Sequence, residues 1–370
     1  MATALKDLYN LEFFTLFSEL CEKDISNFNR EVFLSELFNK DWEGRELKDR
    51  MKWSSICFRS QLERDFEIAL EQLCSLVERL KKTEFYETSV EFMFLPGIIE
   101  NFGLEYFNAS VKAMTSITSF TTCEFAVRPF YLRYPEQMLQ QTIEWSLHSD
   151  FKVRRLASEG IRPMLPWAVA LNHYKKDPTD IIPILENLKD DPEEFVRRSV
   201  ANNLNDISKN QPEIVLDIAK QWYGENENRN KLVKHALRTL LKQGNPKALS
   251  HFNYAHFKDL GIWDFSIFKS KIRIEDKLSF SFKIKNKSNK EAKIRLEYAI
   301  YFLKANGQHS KKVFKISERK LSPNEQIEIV KEHSLRIITT RVFYPGNHNL
   351  SLIVNGNESE VLDFDLLPKA

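Results

Sequence analysis

The 370-residue chain carries 54 Lys and Arg against 52 Asp and Glu, and 42% of it is apolar. That balance belongs to a folded protein long enough for two cores, not to a disordered chain. No apolar run approaches the roughly 18 residues that span a bilayer, and the opening MATALKDLYN lacks the basic and apolar regions of a secretory signal. A cytoplasmic protein without membrane contact is therefore expected. Cys21, Cys57, Cys74 and Cys123 and the eight His lack zinc spacing, and the ten Gly form no phosphate-cradling motif. Neither a disulfide framework, a metal site nor a cofactor is expected.

From residue 1 to about 262, apolar residues recur at three- and four-residue intervals, as in DFEIALEQLCSLVERL (65–80), which predicts helix after helix. Asp177-Pro178, Asp191-Pro192 and Gln211-Pro212 put proline where a first helical turn tolerates it. Val153-Arg154-Arg155 returns 43 residues later as Val196-Arg197-Arg198, and more loosely as Val233-Lys234-His235. A period near 40 residues made of helix pairs is the signature of an all-α HEAT-like repeat solenoid. Its V-R-R helices would line one basic, concave face.

From Trp263 the period drops to two. KLSFSFKIKN (277–286), AKIRLEYAIYFL (292–303), KVFKISERK (312–320), EQIEIVKEH (325–333), HNLSLIVNG (348–356) and EVLDFDLL (360–367) alternate. Turn signals separate them, among them Asn306-Gly307 and Asn355-Gly356. About seven short strands over residues 263–370 predict a small all-β immunoglobulin-like sandwich, with no cysteine to bridge its sheets. Residues 264–370 hold 20 Lys and Arg against 13 Asp and Glu. Such an excess fits a polyanionic partner or a solubilising surface.

Two segments of the helical part carry candidate chemistry. In VRRLASEGIRPMLPW (153–167), Arg155, Glu159 and Arg162 share one helical face, and Trp167 follows two prolines on a turn. In EFAVRP (124–129) a second acid, Glu124, precedes Phe125 and an Arg-Pro expected to end its helix. Adjacent repeats would bring Glu124 and Glu159 together on one wall. From the spacing alone an Arg–Glu ladder joining two repeats is the favoured reading, and Trp167 and Phe125 suit either a core or a base-stacking surface. Arg154, Arg155, Arg197, Arg198, Asn202, Lys234 and Arg238, with Asn203 nearby, suit phosphate oxygens or a solvated helix face.

Four long strings, ALKDLYN, FLPGIIENFGLEYF (94–107), TTCEFAVRPFYLRYPE (121–136) and VRRLASEGIRPMLPWA (153–168), resemble the AlkC branch of the bacterial DNA alkylation-repair glycosylases, HEAT-like repeat enzymes that also include AlkD. The resemblance implies a monofunctional DNA glycosylase hydrolysing the N-glycosidic bond of cationic bases such as 3-methyladenine and 3-methylcytosine. It implies Glu124 and Glu159 as cleft carboxylates, with Arg162, Trp167 and Phe125 beside them. The arginines of the later repeats become backbone grips. The expected partner is double-stranded DNA with alkylated bases, and the expected state is a monomer. A non-catalytic HEAT scaffold for nucleic acid or protein is the competing expectation.

Overall fold

The computed structural model describes residues 4–83, 91–338 and 341–369. Among these the chain forms sixteen α-helices between Leu11 and His251, then eight strands between Leu260 and Leu367. It divides into two compact units, Met1–Ala236 and Leu237–Ala370. No described helix is long and apolar enough to cross a membrane.

The helices of the first unit start where polar side chains satisfy free N–H groups. Asn10 accepts from the Phe13 amide at 2.9 Å and opens helix Leu11–Asp24. Asp65 accepts from Glu67 and Ile68 and opens helix Phe66–Leu80, which buries Phe66, Ala69, Leu70, Leu73, Leu76, Val77 and Leu80 on one stripe. Pro212 is the first residue of helix Pro212–Trp222. Asp150 accepts from the Lys152 amide at 2.8 Å and opens helix Phe151–Gly160, which packs against helices Pro135–Ser146 and Glu194–Ile207. That last contact carries the site described below.

The second unit begins with helices Arg238–Lys242 and Pro246–His251 and continues into a β-sandwich. Its strands are β1 (Leu260–Ile267), β2 (Lys271–Arg273), β3 (Lys277–Asn286), β4 (Ala292–Leu303), β5 (His309–Leu321), β6 (Gln326–Ser334), β7 (Gly346–Val354) and β8 (Asn357–Leu367). One sheet orders β1-β3-β6, and the other β2-β8-β7-β4-β5. Only β2 and β8 pair in parallel among the described strands. Alternate residues of β3 (Leu278, Phe280, Phe282, Ile284) and β4 (Leu296, Tyr298, Ile300) form the shared core with Leu350, Leu352 and Phe364. Each such side chain, fully buried, contributes roughly 1.5–3 kcal/mol. β3 and β4 match the predicted segments, while β1 escaped the alternation because its register shifts between Trp263 and Ser266, with Asp264 at φ 54°.

The β7–β8 hairpin turns on Asn355 and Gly356 alone, both left-handed at φ 45° and 75°, which is the two-residue turn matching strand twist. Gly356 packs backbone to backbone against Gly244, ahead of helix Pro246–His251, and a Cβ on Gly356 would stand 2.4 Å from the Gly244 Cα. Gly356→Ala is therefore expected to lower stability by at least about 2 kcal/mol in urea unfolding. Gly307→Ala, at φ 76° with open space around it, should lose only about 1 kcal/mol.

Candidate functional site

The segment from Glu124 to Pro129 opens a helix instead of closing one. Glu124 lies in the turn before helix Val127–Arg133, and Arg128-Pro129 sit in that helix's first turn, where proline removes no needed N–H. Arg128 is 1% exposed. Its Nη1 donates to the carbonyls of Gly160 and Arg162, each at 2.8 Å, and its Nε to that of Val169 at 2.9 Å. These acceptors end helix Phe151–Gly160 and line the loop after it, where carbonyls lack helical partners. Burial pushes the Arg128 pKa down to about 10, so the cation persists at neutral pH. The helical pattern offered no sign of this role, because the three acceptors are backbone groups more than 30 residues away.

The two candidate carboxylates meet on one guanidinium. Arg155 Nη1 donates to Glu124 Oε2 at 3.1 Å, and its Nη2 lies 3.8 Å from Glu159 Oε2. Glu159 Oε1 accepts from Arg162 Nη1 at 2.5 Å, and Oε2 accepts from the Ser199 hydroxyl at 2.6 Å. Arg162 turns its Nε and Nη2 to Asp206 Oδ2 at 2.9 Å, and Lys209 reaches Asp206 Oδ1 at 2.8 Å. The result is a row of alternating charges: Glu124, Arg155, Glu159, Arg162, Asp206, Lys209. Burial opposes the charge of Arg162, but Glu159 and Asp206 outweigh it and hold its pKa above the ordinary value. Arg162 lies just past the helix end at Gly160, so it joins Glu159 across the C-terminus and not along a helical face.

Within this row the carboxylates differ. Glu159 is 5% exposed, and both its oxygens are engaged. Glu124 uses Oε2 for Arg155 and for the Thr122 hydroxyl at 3.0 Å. Its Oε1 has no hydrogen-bond partner among the described residues. Glu124 also lines a cavity of about 290 Å³ with Phe120, Lys152, Arg155 and Phe195. The Arg155 guanidinium stacks 4.4 Å from the Phe195 ring centroid, which fixes its orientation.

The V-R-R repeat splits its two arginines. Arg154 Nη1 donates to the carbonyls of His148 and Ser149, and Arg197 Nη1 to those of Asp191 and Pro192, the residues at i−6 and i−5 in each case. The first arginine thus wraps back onto the turn before its own helix. Arg154 also pairs with buried Asp191 through Nε at 2.5 Å and Nη2 at 3.1 Å. Most donors of Arg154, like Nη1 of Arg197, are thus engaged within the fold. The second arginine faces outward: Arg155 to the carboxylates, and Arg198, exposed, into a groove with Lys231 and His235. Arg198 makes no hydrogen bond or ion pair among the described residues. Asn202 is half-buried with Oδ1 at 2.9 Å from His235 Nε2, and Asn203 is fully buried, donating to the Ser158 carbonyl at 2.8 Å. Lys234 is half-buried and has polar partners of its own; Arg238, similarly engaged, opens the first helix of the second unit.

Trp167 is 60% exposed and has φ 64°. A left-handed backbone at a bulky residue costs on the order of 1–3 kcal/mol and persists only when its surroundings enforce it. Arg128 supplies part of that enforcement by binding the carbonyls of Arg162 and Val169 on either side. From helix Leu47–Arg59, Lys48 Nζ donates to the Trp167 carbonyl at 2.5 Å and lies 5.5 Å from the centroid of the Phe125 ring. Phe125 is half-buried and lines a cavity of about 430 Å³ with Lys48, Lys52 and Glu100. Lys48 was not among the residues the sequence singled out. A carboxylate such as Glu124, with an unengaged oxygen on the wall of a cavity it shares with Phe120 and Phe195, is suited to stabilising a transient positive charge. Among the described residues no cluster of three His, Cys, Asp or Glu is placed to hold a metal ion.

Comparisons with known proteins bear on what this site does. The sequence model of the family described as DNA alkylation repair enzyme matches residues 99–240, and that of the YhaZ C-terminal Ig-like domain matches residues 262–368. YhaZ of Bacillus subtilis (strain 168), described as an uncharacterized protein, is 39% identical over 362 residues, 98% of this chain and 99% of that protein. The alkylpurine DNA glycosylase AlkC of Pseudomonas fluorescens, solved bound to DNA containing an abasic site analog, is 32% identical with a TM-score of 0.91. That match covers 99% of this chain and 100% of the other.

The split within the repeat yields a stability test. Arg154→Ala leaves the buried Asp191 carboxylate without its bidentate partner and should lower stability by about 2–3 kcal/mol, read as a fall of several degrees in Tm. Arg198→Ala should leave Tm unchanged within a degree. Equal effects would contradict the division.

Proposed function

We propose, because this chain belongs to the AlkC-type DNA alkylation repair enzymes, that it is a monofunctional glycosylase releasing cationic alkylated bases, 3-methyladenine and 3-methylcytosine, from double-stranded DNA. It acts as a monomer in the cytoplasm. What carries the reading is the likeness, over nearly the whole chain, to a glycosylase solved on abasic DNA. The site chemistry supports it.

An N-alkylated base such as 3-methyladenine is already cationic, so it departs without a general acid. The C1′–N bond breaks with its electron pair going to the base, which becomes neutral, and positive charge moves to the deoxyribose. The transition state is oxocarbenium-like, as in glycoside hydrolysis. In this reading Glu124 is the carboxylate that meets that charge, and its unengaged Oε1 and its position on a cavity wall support the choice. It also accepts the proton of the water that adds to C1′, directly or through a neighbouring water. Glu159 holds Arg155 and Arg162 in place, and so aims Glu124 indirectly. Trp167 and Phe125 supply the aromatic surface for the lesion or its sugar, and Arg198 is the grip on a backbone phosphate. The net positive sandwich, with 20 Lys and Arg against 13 Asp and Glu over residues 264–370, adds to attraction for duplex DNA.

The decisive assay is release of 3-methyladenine from methylated DNA. Wild type should release it, and Glu124→Gln should lose roughly 10²–10³ in rate while keeping its Tm and its binding to abasic DNA. Glu159→Gln should lose both rate and stability, since it takes a charge from a buried row. No release by wild type from single- or double-stranded substrate would sink the enzymatic reading and favour a scaffold. Arg198→Ala should lower the slope of log Kd against log salt by about 0.9, the mark of one lost phosphate contact.

A further inference from the structure

The loop from Arg162 to Leu171 presents an exposed Trp in a backbone conformation that it does not prefer, and its own hydrogen bonds are few. Ala168 donates to Leu165 at 3.3 Å and Leu171 to Pro163 at 3.2 Å. Neither involves the Trp167 carbonyl. Lys48 supplies that bond, from a helix remote in sequence, at 2.5 Å. The base of Lys48 is firm, because its helix buries Met51 and Phe58 and is pinned by Arg50. Arg50 is 5% exposed and donates to the carbonyls of Lys6, Tyr9 and Arg45 at 3.1–3.2 Å. The same Lys48 ammonium stands 5.5 Å from the Phe125 centroid, so one cation organises the carbonyl of one cleft aromatic and the ring of the other.

We infer that Lys48 is a positioning residue: by holding the Trp167 carbonyl it keeps the left-handed turn closed and the Trp167 ring preset toward the lesion, with Phe125 registered to the same ammonium. The function rests on the glycosylase reading; the tether itself does not. Lys48 touches neither lesion nor phosphate in this assignment. Its contribution is preorganisation, and misplacing a cleft group by about an ångström can lower a rate by up to about 10².

Two measurements test it. The first needs no activity. In protein labelled with 5-fluorotryptophan, the Trp167 resonance is identified by its loss in Trp167→Phe. Lys48→Met should shift and broaden that resonance, and Lys48→Arg, which can still donate to the carbonyl, should restore it in part. Lys52→Met, one turn along the same helix, should leave it unmoved. An unmoved Trp167 signal in Lys48→Met overturns the tether even if the chain releases no base.

The second is kinetic. Lys48→Met should lower kcat for base release about tenfold or more, with KM, Tm and the salt slope of DNA binding unchanged. In a Trp167→Gly background the same change should cost much less, with only the contact to Phe125 left to lose. Equal losses in both backgrounds, or a salt slope reduced by about 0.9, would show that Lys48 acts on DNA directly, and would overturn the proposal. If wild type releases no base, the glycosylase reading fails while the fluorine result still decides the tether.

Discussion

The site depends on one guanidinium. Arg155 stands between Glu124, from the turn before one helix, and Glu159, from its own, and it is kept in plane by the Phe195 ring of the next repeat. Three consecutive stretches of the helical unit therefore converge on a single planar cation. A buried ion pair adds little stability by itself, because desolvation offsets most of the Coulomb gain. What it does add is register. Each carboxylate requires its arginine at a fixed place, so a helix that slid or rotated would leave a charge buried and unpaired. The alternating row from Glu124 to Lys209 extends this requirement across the contact between helices Phe151–Gly160 and Glu194–Ile207.

The same logic separates a working acid from a supporting one. Glu159 is more buried and more completely bonded, which makes it the better anchor and the poorer reactant. Glu124 is less enclosed and leaves one oxygen uncommitted. A residue that stabilises a transient charge must be held firmly and still have a lone pair to offer, and the row provides this by making Glu124 its terminal member. Trp167 follows a parallel rule: the strained backbone is enclosed by buried Arg128 and tethered by Lys48, and only the ring is left outward.

Much of this was legible in the order of residues, and the parts that were not share a cause. The clean alternation in β3 and β4 and the stripe of helix Phe66–Leu80 announce themselves, because local periodicity is what burial on one face produces. Glu124, Glu159 and Arg162, which the structure joins through Arg155 in one row, stood out in the sequence by their spacing and in the family strings, whereas Trp167 shares no hydrogen bond with them. Hidden were the contacts that join distant segments to backbone atoms. Arg128 binds carbonyls, which every residue has, and Lys48 reaches across to a loop more than a hundred residues away. The two arginines of V-R-R look alike in sequence because their difference is the direction each takes from the helix. β1 was missed because a left-handed Asp264 interrupts its alternation, and β2 because three residues are too few to show a period.

The backward reach of the first arginine in each V-R-R helix has an evolutionary consequence. Arg154 and Arg197 each fasten a helix to the turn that precedes it, and Arg154 also reaches Asp191 ahead of the next V-R-R helix, so the first arginine is committed to the architecture within and between repeats. The second arginine differs between the two copies: Arg155 is bound into the charge row, whereas Arg198 makes no hydrogen bond or ion pair among the described residues and is released from maintaining the architecture. Position 198 can drift under selection by whatever lies against that surface, while the Arg154–Asp191 pair keeps the two repeats joined.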